Sequence, residues 1–147
     1  MKTFQVSTFI GATTDAIWEI LTDASKYTAW NKTVDKVEGR IAPGEKVTVH
    51  AKLSPGRAFP VKVTEFVPGR KMVWASGMPL GLFKGERTFT LTERGDGTVE
   101  FRMSEVFSGL LSPLIERSIP NLQPTFDEFA VALKKRAEAG GHGHSRR

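Results

Sequence analysis

The chain has 147 residues, which suits one domain with a sizeable core. It contains no cysteine, so disulfides and thiolate sites are excluded, and no run of about 18 apolar residues that could span a membrane. The net charge is +5, but five of the 21 basic residues and only one of the 16 acidic residues lie beyond Leu133. Residues 1–133 therefore carry a net charge of only +1, so we expect no nucleic-acid partner. Because there is no long apolar run, we also expect no insertion into a membrane.

The first part of the chain predicts a strand followed by two small helices. Residues 3–10 alternate between apolar and polar side chains, without the apolar run of a signal peptide, so we expect a cytoplasmic protein. Thr13 or Thr14 can cap a short helix, and Asp23 or Ser25 can start another turn that ends near Trp30. Six strand-like runs separated by Gly and Pro turns follow, at residues 33–41, 46–53, 60–67, 70–76, 84–94 and 98–107.

The last element is predicted to be a long helix from near Leu110 to about Ala139. Apolar residues recur there in steps of three and four, which places them on one side of a helix. Pro120 and Pro124 fall inside this stripe, and a proline removes an amide donor and clashes with the preceding turn. We therefore expect a bend near residues 118–124, or a short helix followed by a long one.

These elements predict an α+β fold, in which a curved antiparallel sheet of about six to seven strands wraps around the long C-terminal helix. Two short helices follow the first strand. Residues 1–139 form the single predicted domain. Residues 140–147 are rich in Gly and His and are predicted to be a disordered tail.

The order of elements and several local motifs resemble the SRPBCC superfamily, over residues 3 to about 137. This superfamily includes START-like lipid carriers, polyketide cyclases and plant pathogenesis-related allergens. The resemblance implies a helix-grip fold with a ligand cavity between the sheet and the last helix, but it does not identify the ligand. The motifs are ATTDAIWEILTD at 12–23, YTAWN at 27–31, VTEFVPGR at 63–70, GT at 97–98 and FSGLL at 107–111.

Strand parity brings two charged residues onto the apolar faces of the last two strands. A three-residue hairpin loop at 95–97, with Gly97 left-handed, pairs Arg94 with Thr98. Counting back along the strands then places Arg87 opposite Glu105. The pair is either a self-neutralising salt bridge or a polar anchor for a ligand carboxylate or hydroxyl, and the sequence leaves both open.

Apolar side chains that could line the same site are weaker candidates, because each is equally suited to the core. Phe59 and Phe83 lie in or beside turns, so their loops are interpreted as a cavity mouth, a lid or a subunit contact. The other predicted ligand-binding residues are Trp30, Trp74, Phe89, Met103, Phe107, Ile119, Leu122 and Phe126.

The leading functional hypothesis is binding or carriage of a small hydrophobic molecule that is lipid-like, polyketide-like or aromatic. One alternative is a cyclase or dehydratase acting on polyketide-like substrates, and another is a co-chaperone-like interaction module. No residue stands out as catalytic, and His50 is predicted to face solvent rather than act as a general base. We expect no cofactor, no metal site, and a monomer or homodimer.

Overall fold

The computed structural model describes the backbone of residues 2–145 and the side chains of residues 2–140. Seven antiparallel strands form one curled sheet in the order β1-β7-β6-β5-β4-β3-β2. This α+β, helix-grip-like fold confirms the predicted class. The strands are β1 (Lys2–Ile10), β2 (Val34–Gly39), β3 (Lys46–Ala51), β4 (Phe59–Val67), β5 (Lys71–Met78), β6 (Phe83–Glu93) and β7 (Val99–Ser108).

Two short helices connect β1 to β2, as predicted. Helix α1 (Thr14–Thr22) begins after Thr13, whose hydroxyl accepts a hydrogen bond from the Ala16 amide at 3.1 Å and so satisfies one free donor of the first turn. A 3₁₀ turn (Ala24–Lys26) then leads into the single-turn α2 (Tyr27–Trp30). The cap and the apolar spacing that indicated α1 therefore fix its start.

The hairpin between β6 and β7 has the predicted loop and register. Gly97 has a φ of 86°, a left-handed conformation that glycine adopts without steric cost, and the Arg94 amide donates to the Thr98 carbonyl at 2.9 Å. Asp96 strengthens this turn, because its carboxylate accepts from both the amide and the hydroxyl of Thr98. As a result Arg87 lies directly opposite Glu105.

The C-terminal helical segment is broken in two, which confirms the effect predicted for its prolines. Helix α3 (Ser112–Ile115) continues into a 3₁₀ turn (Glu116–Ser118), and the chain is then non-helical as far as α4 (Gln123–Ser145). Pro120 lies in the break, whereas Pro124 lies in the first turn of α4, where a missing amide donor costs little.

Helix α4 extends past the predicted end near Ala139. Its backbone remains helical to Ser145, so it includes residues 140–145 of the segment predicted to be a disordered tail. Disorder of this tail was predicted from the low complexity of residues 140–145, and it stays a prediction. The other two tail residues, 146 and 147, lie outside the described residues.

The core lies between the sheet and α4. Phe126, Phe129 and Leu133 of α4 are buried at spacings of three and four residues, as expected for one face of a helix. Alternate residues of β6 and β7 are buried against them, because side chains in a strand point to opposite faces in turn. The same alternation places Arg87 and Glu105 on the side of the sheet that carries the core.

Candidate functional site

The centre of the candidate site is an ion pair between β6 and β7. Nε of Arg87 donates a hydrogen bond to Oε1 of Glu105 at 2.7 Å. The Arg87 side chain is 25% exposed and that of Glu105 is 14% exposed. The pair therefore lies within the fold but remains within reach of solvent.

An aromatic ring of α4 lies against the guanidinium of Arg87. Its Cζ lies 4.8 Å from the centroid of the Phe126 ring, a distance typical of a cation–π contact. Phe126 in turn contacts Phe4, and Trp74 lies opposite Arg87 on β5. The charge is thus held by a carboxylate on one strand and by an aromatic ring of the long helix.

Gly85 packs closely against the carboxylate of Glu105 and the ring of Phe107. A Cβ at this position would lie 3.5 Å from Oε2 of Glu105 and 3.1 Å from the ring of Phe107. Glycine inside a strand weakens the strand and often marks a close approach by another group. Gly85 was not among the predicted site residues, although it has the same strand parity as Arg87.

The middle of the grip, which is the space between the sheet and α4, is filled with aromatic side chains. Phe129 of α4 lies at their centre, with ring centroids 5.2 Å from Trp30, 6.0 Å from Phe101 and 6.2 Å from Phe89. Trp74 packs on Phe89 at 4.8 Å. Trp30, Trp74 and Phe89 were predicted to line a pocket. The structure places all three in this packed cluster, and Trp30 also lines a surface cleft.

Two buried indole groups lack hydrogen-bond partners. Nε1 of Trp30 and Nε1 of Trp74 are both inaccessible to solvent and unpartnered. A buried N–H without an acceptor costs free energy, so such groups are rare and need an explanation. Both rings neighbour Tyr27, at 5.0 and 6.3 Å between centroids, so the two donors belong to the same part of the core.

Tyr27 is not available for acid–base chemistry near neutral pH. Burial raises the pKa of its phenol well above the ordinary value, and the positive charge of Arg87 opposes this shift only partly. Its hydroxyl donates to the Leu21 carbonyl at 2.5 Å. Tyr27 therefore fixes the turn that follows α1.

Less buried apolar residues lie towards one end of the site. Phe83 is half-buried and stacks on Phe107 at 5.9 Å, while Ile119 and Leu122 are half-buried in the break before α4 and pack against the core. The structure brings most of the predicted residues together around Arg87, Glu105 and the neighbouring core. Phe59 is separate: it begins β4, opposite Val49, and its ring lies 5.5 Å from the Arg57 guanidinium.

Two clefts stand out among the described residues, and neither is lined by Arg87 or Glu105. A cleft of about 190 Å³ lies on β1 beside Arg102. The other, of about 410 Å³, lies between α1 and the C-terminal part of α4 and is lined by Ala16, Glu19, Ile20, Asp23, Lys26, Trp30, Arg136, Ala137, Ala139 and Gly140.

His50 lies away from the candidate site. Its Nε2 is 2.7 Å from Oε1 of Glu38 on the neighbouring strand. Hydrogen bonds from His50 and Lys36 hold the pKa of Glu38 below its ordinary value. His50 and Glu38 form a hydrogen-bonded pair on the outer face of the sheet, away from Arg87.

Comparisons with known proteins agree with the helix-grip architecture. A family model described as "Polyketide cyclase / dehydrase and lipid transport" matches residues 1–138. No curated protein matches the sequence.

Three solved structures illustrate the likeness in fold, and all are below 25% identity. A START superfamily protein from Mycobacterium smegmatis has a TM-score of 0.69 at 16% identity, covering 93% of this chain and 97% of its own. The Aha1 dimer from Colwellia psychrerythraea has a TM-score of 0.70 at 20% identity, covering 95% and 98%. The di-domain ARO/CYC protein BexL, from the BE-7585A biosynthetic pathway, has a TM-score of 0.68 at 12% identity, covering 92% and 46%.

Proposed function

Because the chain belongs to the polyketide cyclase/dehydrase and lipid transport family, we propose that it binds and carries a small hydrophobic molecule that ends in a polar group. The observation that carries this proposal is the Arg87–Glu105 pair on the core side of the sheet. An apolar core needs no such pair, since apolar replacements for a buried ion pair are often neutral or stabilising.

The unused hydrogen-bonding capacity of the pair defines the polar group that it could bind. Only Nε of Arg87 and Oε1 of Glu105 contact each other. The guanidinium has further N–H donors that suit a carboxylate or carbonyl oxygen, and Oε2 of Glu105 can accept from a hydroxyl. A fatty acid, a hydroxy acid or a polyketide-like chain with a terminal oxygen would satisfy these groups.

The apolar part of the ligand would lie towards Phe83, Ile119 and Leu122. The middle of the grip is filled by the Phe129 cluster, whereas these three side chains are only half-buried. The break in the helix adds support, because residues 119–122 lack regular helical structure and can move at lower cost than a continuous helix.

Binding is favoured over the cyclase or dehydratase alternative. Such an enzyme needs an acid or base within reach of the substrate and titrating near the working pH. Arg87 and Glu105 are bound to each other, and the hydroxyl of Tyr27 is committed to the Leu21 carbonyl.

The interaction-module alternative is favoured by the packed centre of the grip, because such a module would not need a cavity.

Native mass spectrometry of gently purified protein tests this proposal. We expect a mass increment from a retained small molecule, which denaturation releases and which extraction identifies as apolar with a terminal oxygen group. The same spectrum gives the number of subunits. Protein without any retained molecule, and without affinity for fatty acids or hydroxy acids added afterwards, would overturn the proposal in favour of an interaction module.

A further inference from the structure

One end of the sheet displays large apolar side chains to solvent. Three segments lie at this end, which we call the loop end: the loop after β3 (residues 52–58), the last residue of β5 with the loop after it (78–82), and the segment after β7 that includes α3 (109–117). Three large apolar side chains exposed elsewhere in the described chain are Phe9, Val67 and Val131. Those at the loop end are Leu53, Met78, Leu80, Leu110 and Leu114.

Leu80 is held in a conformation that keeps its side chain in solvent. Its φ is 63° and it is 91% exposed, although left-handed backbone is unfavourable for leucine. The flanking backbone is fixed by hydrogen bonds to the next loop, from the Leu110 amide to Gly81 and from the Leu111 amide to Leu82, at 3.1 and 2.7 Å. Leu80 and Leu110, which is 79% exposed, are therefore presented together by two connected loops.

Basic side chains lie at the same end of the sheet as these leucines. Lys52 and Arg57 belong to the loop after β3, and Arg117 follows α3. Lys32 lies just before β2, beside that first loop, because the Lys52 amide donates to the Thr33 carbonyl. The carboxylate in these loops is Glu116, which accepts a hydrogen bond from the Ser112 hydroxyl.

We propose that the loop end docks reversibly on the surface of an anionic lipid bilayer. The leucines would enter the boundary between headgroups and acyl chains, and the four basic side chains would lie at the lipid phosphates. This inference rests on the proposed function, since it places the half-buried Phe83 and the Arg87 site behind it next to a source of hydrophobic ligand. None of the helices in the described part of the chain is long and apolar enough to span a membrane.

The charge pattern favours a bilayer over a second copy of the chain. A twofold contact through the loop end would bring the same basic surface of both copies together. Like charges facing each other across a contact are destabilising, whereas anionic headgroups would neutralise them.

A vesicle flotation assay tests the proposal with wild-type protein and the Leu80→Asn/Leu110→Asn variant. Vesicles are phosphatidylcholine alone or phosphatidylcholine with about 30% phosphatidylglycerol. We expect wild type to float with the anionic vesicles and the variant to bind them at least about tenfold more weakly, because two exposed leucines no longer transfer from water. The variant should remain folded, since asparagine tolerates left-handed backbone.

Val131→Asn is the matched control, because Val131 is an exposed apolar residue on α4. Its vesicle binding should equal that of wild type. Lys52→Gln/Arg57→Gln tests the charge contribution: binding to anionic vesicles should fall roughly fivefold for each charge removed, and the remaining binding should depend less on salt.

Equal flotation of wild type and the leucine variant, or equal binding to neutral and anionic vesicles, would overturn the proposal. So would a wild-type dimer that the leucine variant converts to monomers without any vesicle binding, because the loop end would then be a contact between copies. Titration of the leucine variant with a fatty acid, without vesicles, separates this inference from the proposed function. Unchanged affinity there means that loss of docking leaves the ligand site intact.

Discussion

Arg87 and Glu105 face each other directly across β6 and β7 on the core side of the sheet, and Nε of Arg87 donates to Oε1 of Glu105 at 2.7 Å. Bringing two charges out of water costs free energy that their attraction only partly offsets. The pair alone is therefore not expected to add much to the free energy of unfolding. Its position beside half-buried apolar residues makes it the best candidate for an anchor that binds a polar group.

Removing one member of the pair should destabilise the protein more than removing both. Glu105→Gln leaves Arg87 without its counter-charge inside the fold, which should lower the free energy of unfolding by about 1–3 kcal/mol. Arg87→Met/Glu105→Leu keeps similar volumes without charge and should be nearly neutral. Chemical denaturation of the three proteins provides these values.

Lys71 and Glu65 form a matched control pair on the surface, with Nζ 3.1 Å from Oε2 and both side chains more than two-fifths exposed. Glu65→Gln should change the free energy of unfolding by less than about 1 kcal/mol. A double variant at positions 87 and 105 that is less stable than Glu105→Gln would show that the ion pair itself holds the fold together.

Trp74→Phe should be better tolerated than an equivalent change at Trp18. Both substitutions reduce the ring in the core, but only Trp74 carries a buried N–H without a partner. Removing that N–H relieves an unsatisfied donor, so Trp74→Phe should cost about 1–3 kcal/mol less than Trp18→Phe in ligand-free protein. Thermal unfolding compares them, and equal losses would mean that the Trp74 donor is satisfied in solution.

The turn between β6 and β7 should contribute stability that depends on pH. A hydrogen bond from the Thr98 hydroxyl, then one from the Thr98 amide, holds the pKa of Asp96 below its ordinary value. Because the folded pKa is the lower one, this stability is present above the unfolded pKa of about 3.9 and is lost as the pH falls through the folded value. Thr98→Val should therefore lower the Tm at pH 7 and approach the wild-type Tm in strong acid. A Tm difference that stays constant over this range would contradict the assignment.

Gly109 should be essential to the connection between the two exposed loops. Its φ is 114°, and a Cβ there would lie 2.7 Å from the Leu82 carbonyl oxygen and 2.8 Å from Cα of Phe83. Gly109→Ala should therefore cost about 1–3 kcal/mol in the free energy of unfolding. Gly95→Ala is the control, because nothing lies within 4 Å of its added Cβ. Equal stability of the two variants would show that the loops separate freely.

Local patterns were sufficient to predict most of the fold. Alternation of apolar residues located the strands, the Gly97 turn fixed the register of Arg87 against Glu105, and Pro120 indicated the break before α4. Each of these depends on residues close together in the sequence or on one hairpin. Such information is present in the sequence itself.

Which residues form the site was harder to predict from the sequence. Whether Trp30, Trp74 and Phe89 line a pocket or pack in a core depends on how Phe129 of the distant helix meets the sheet. Gly85 is informative only once its neighbours Phe107 and Glu105 are known. The unpartnered indole donors likewise follow from three-dimensional packing, which residue types alone do not specify.

The most direct test of the central claim is a pair of titrations of wild type and Arg87→Met/Glu105→Leu, one with a fatty acid and one with an uncharged aromatic dye. If the pair anchors the polar end of a ligand, the double variant should bind the fatty acid roughly 10- to 100-fold more weakly, the scale of a charge-assisted hydrogen bond, and bind the dye as wild type does. Equal affinity of both proteins for the fatty acid would contradict the claim. The candidate site would then move to the loop residues Arg57, Phe59 and Phe83.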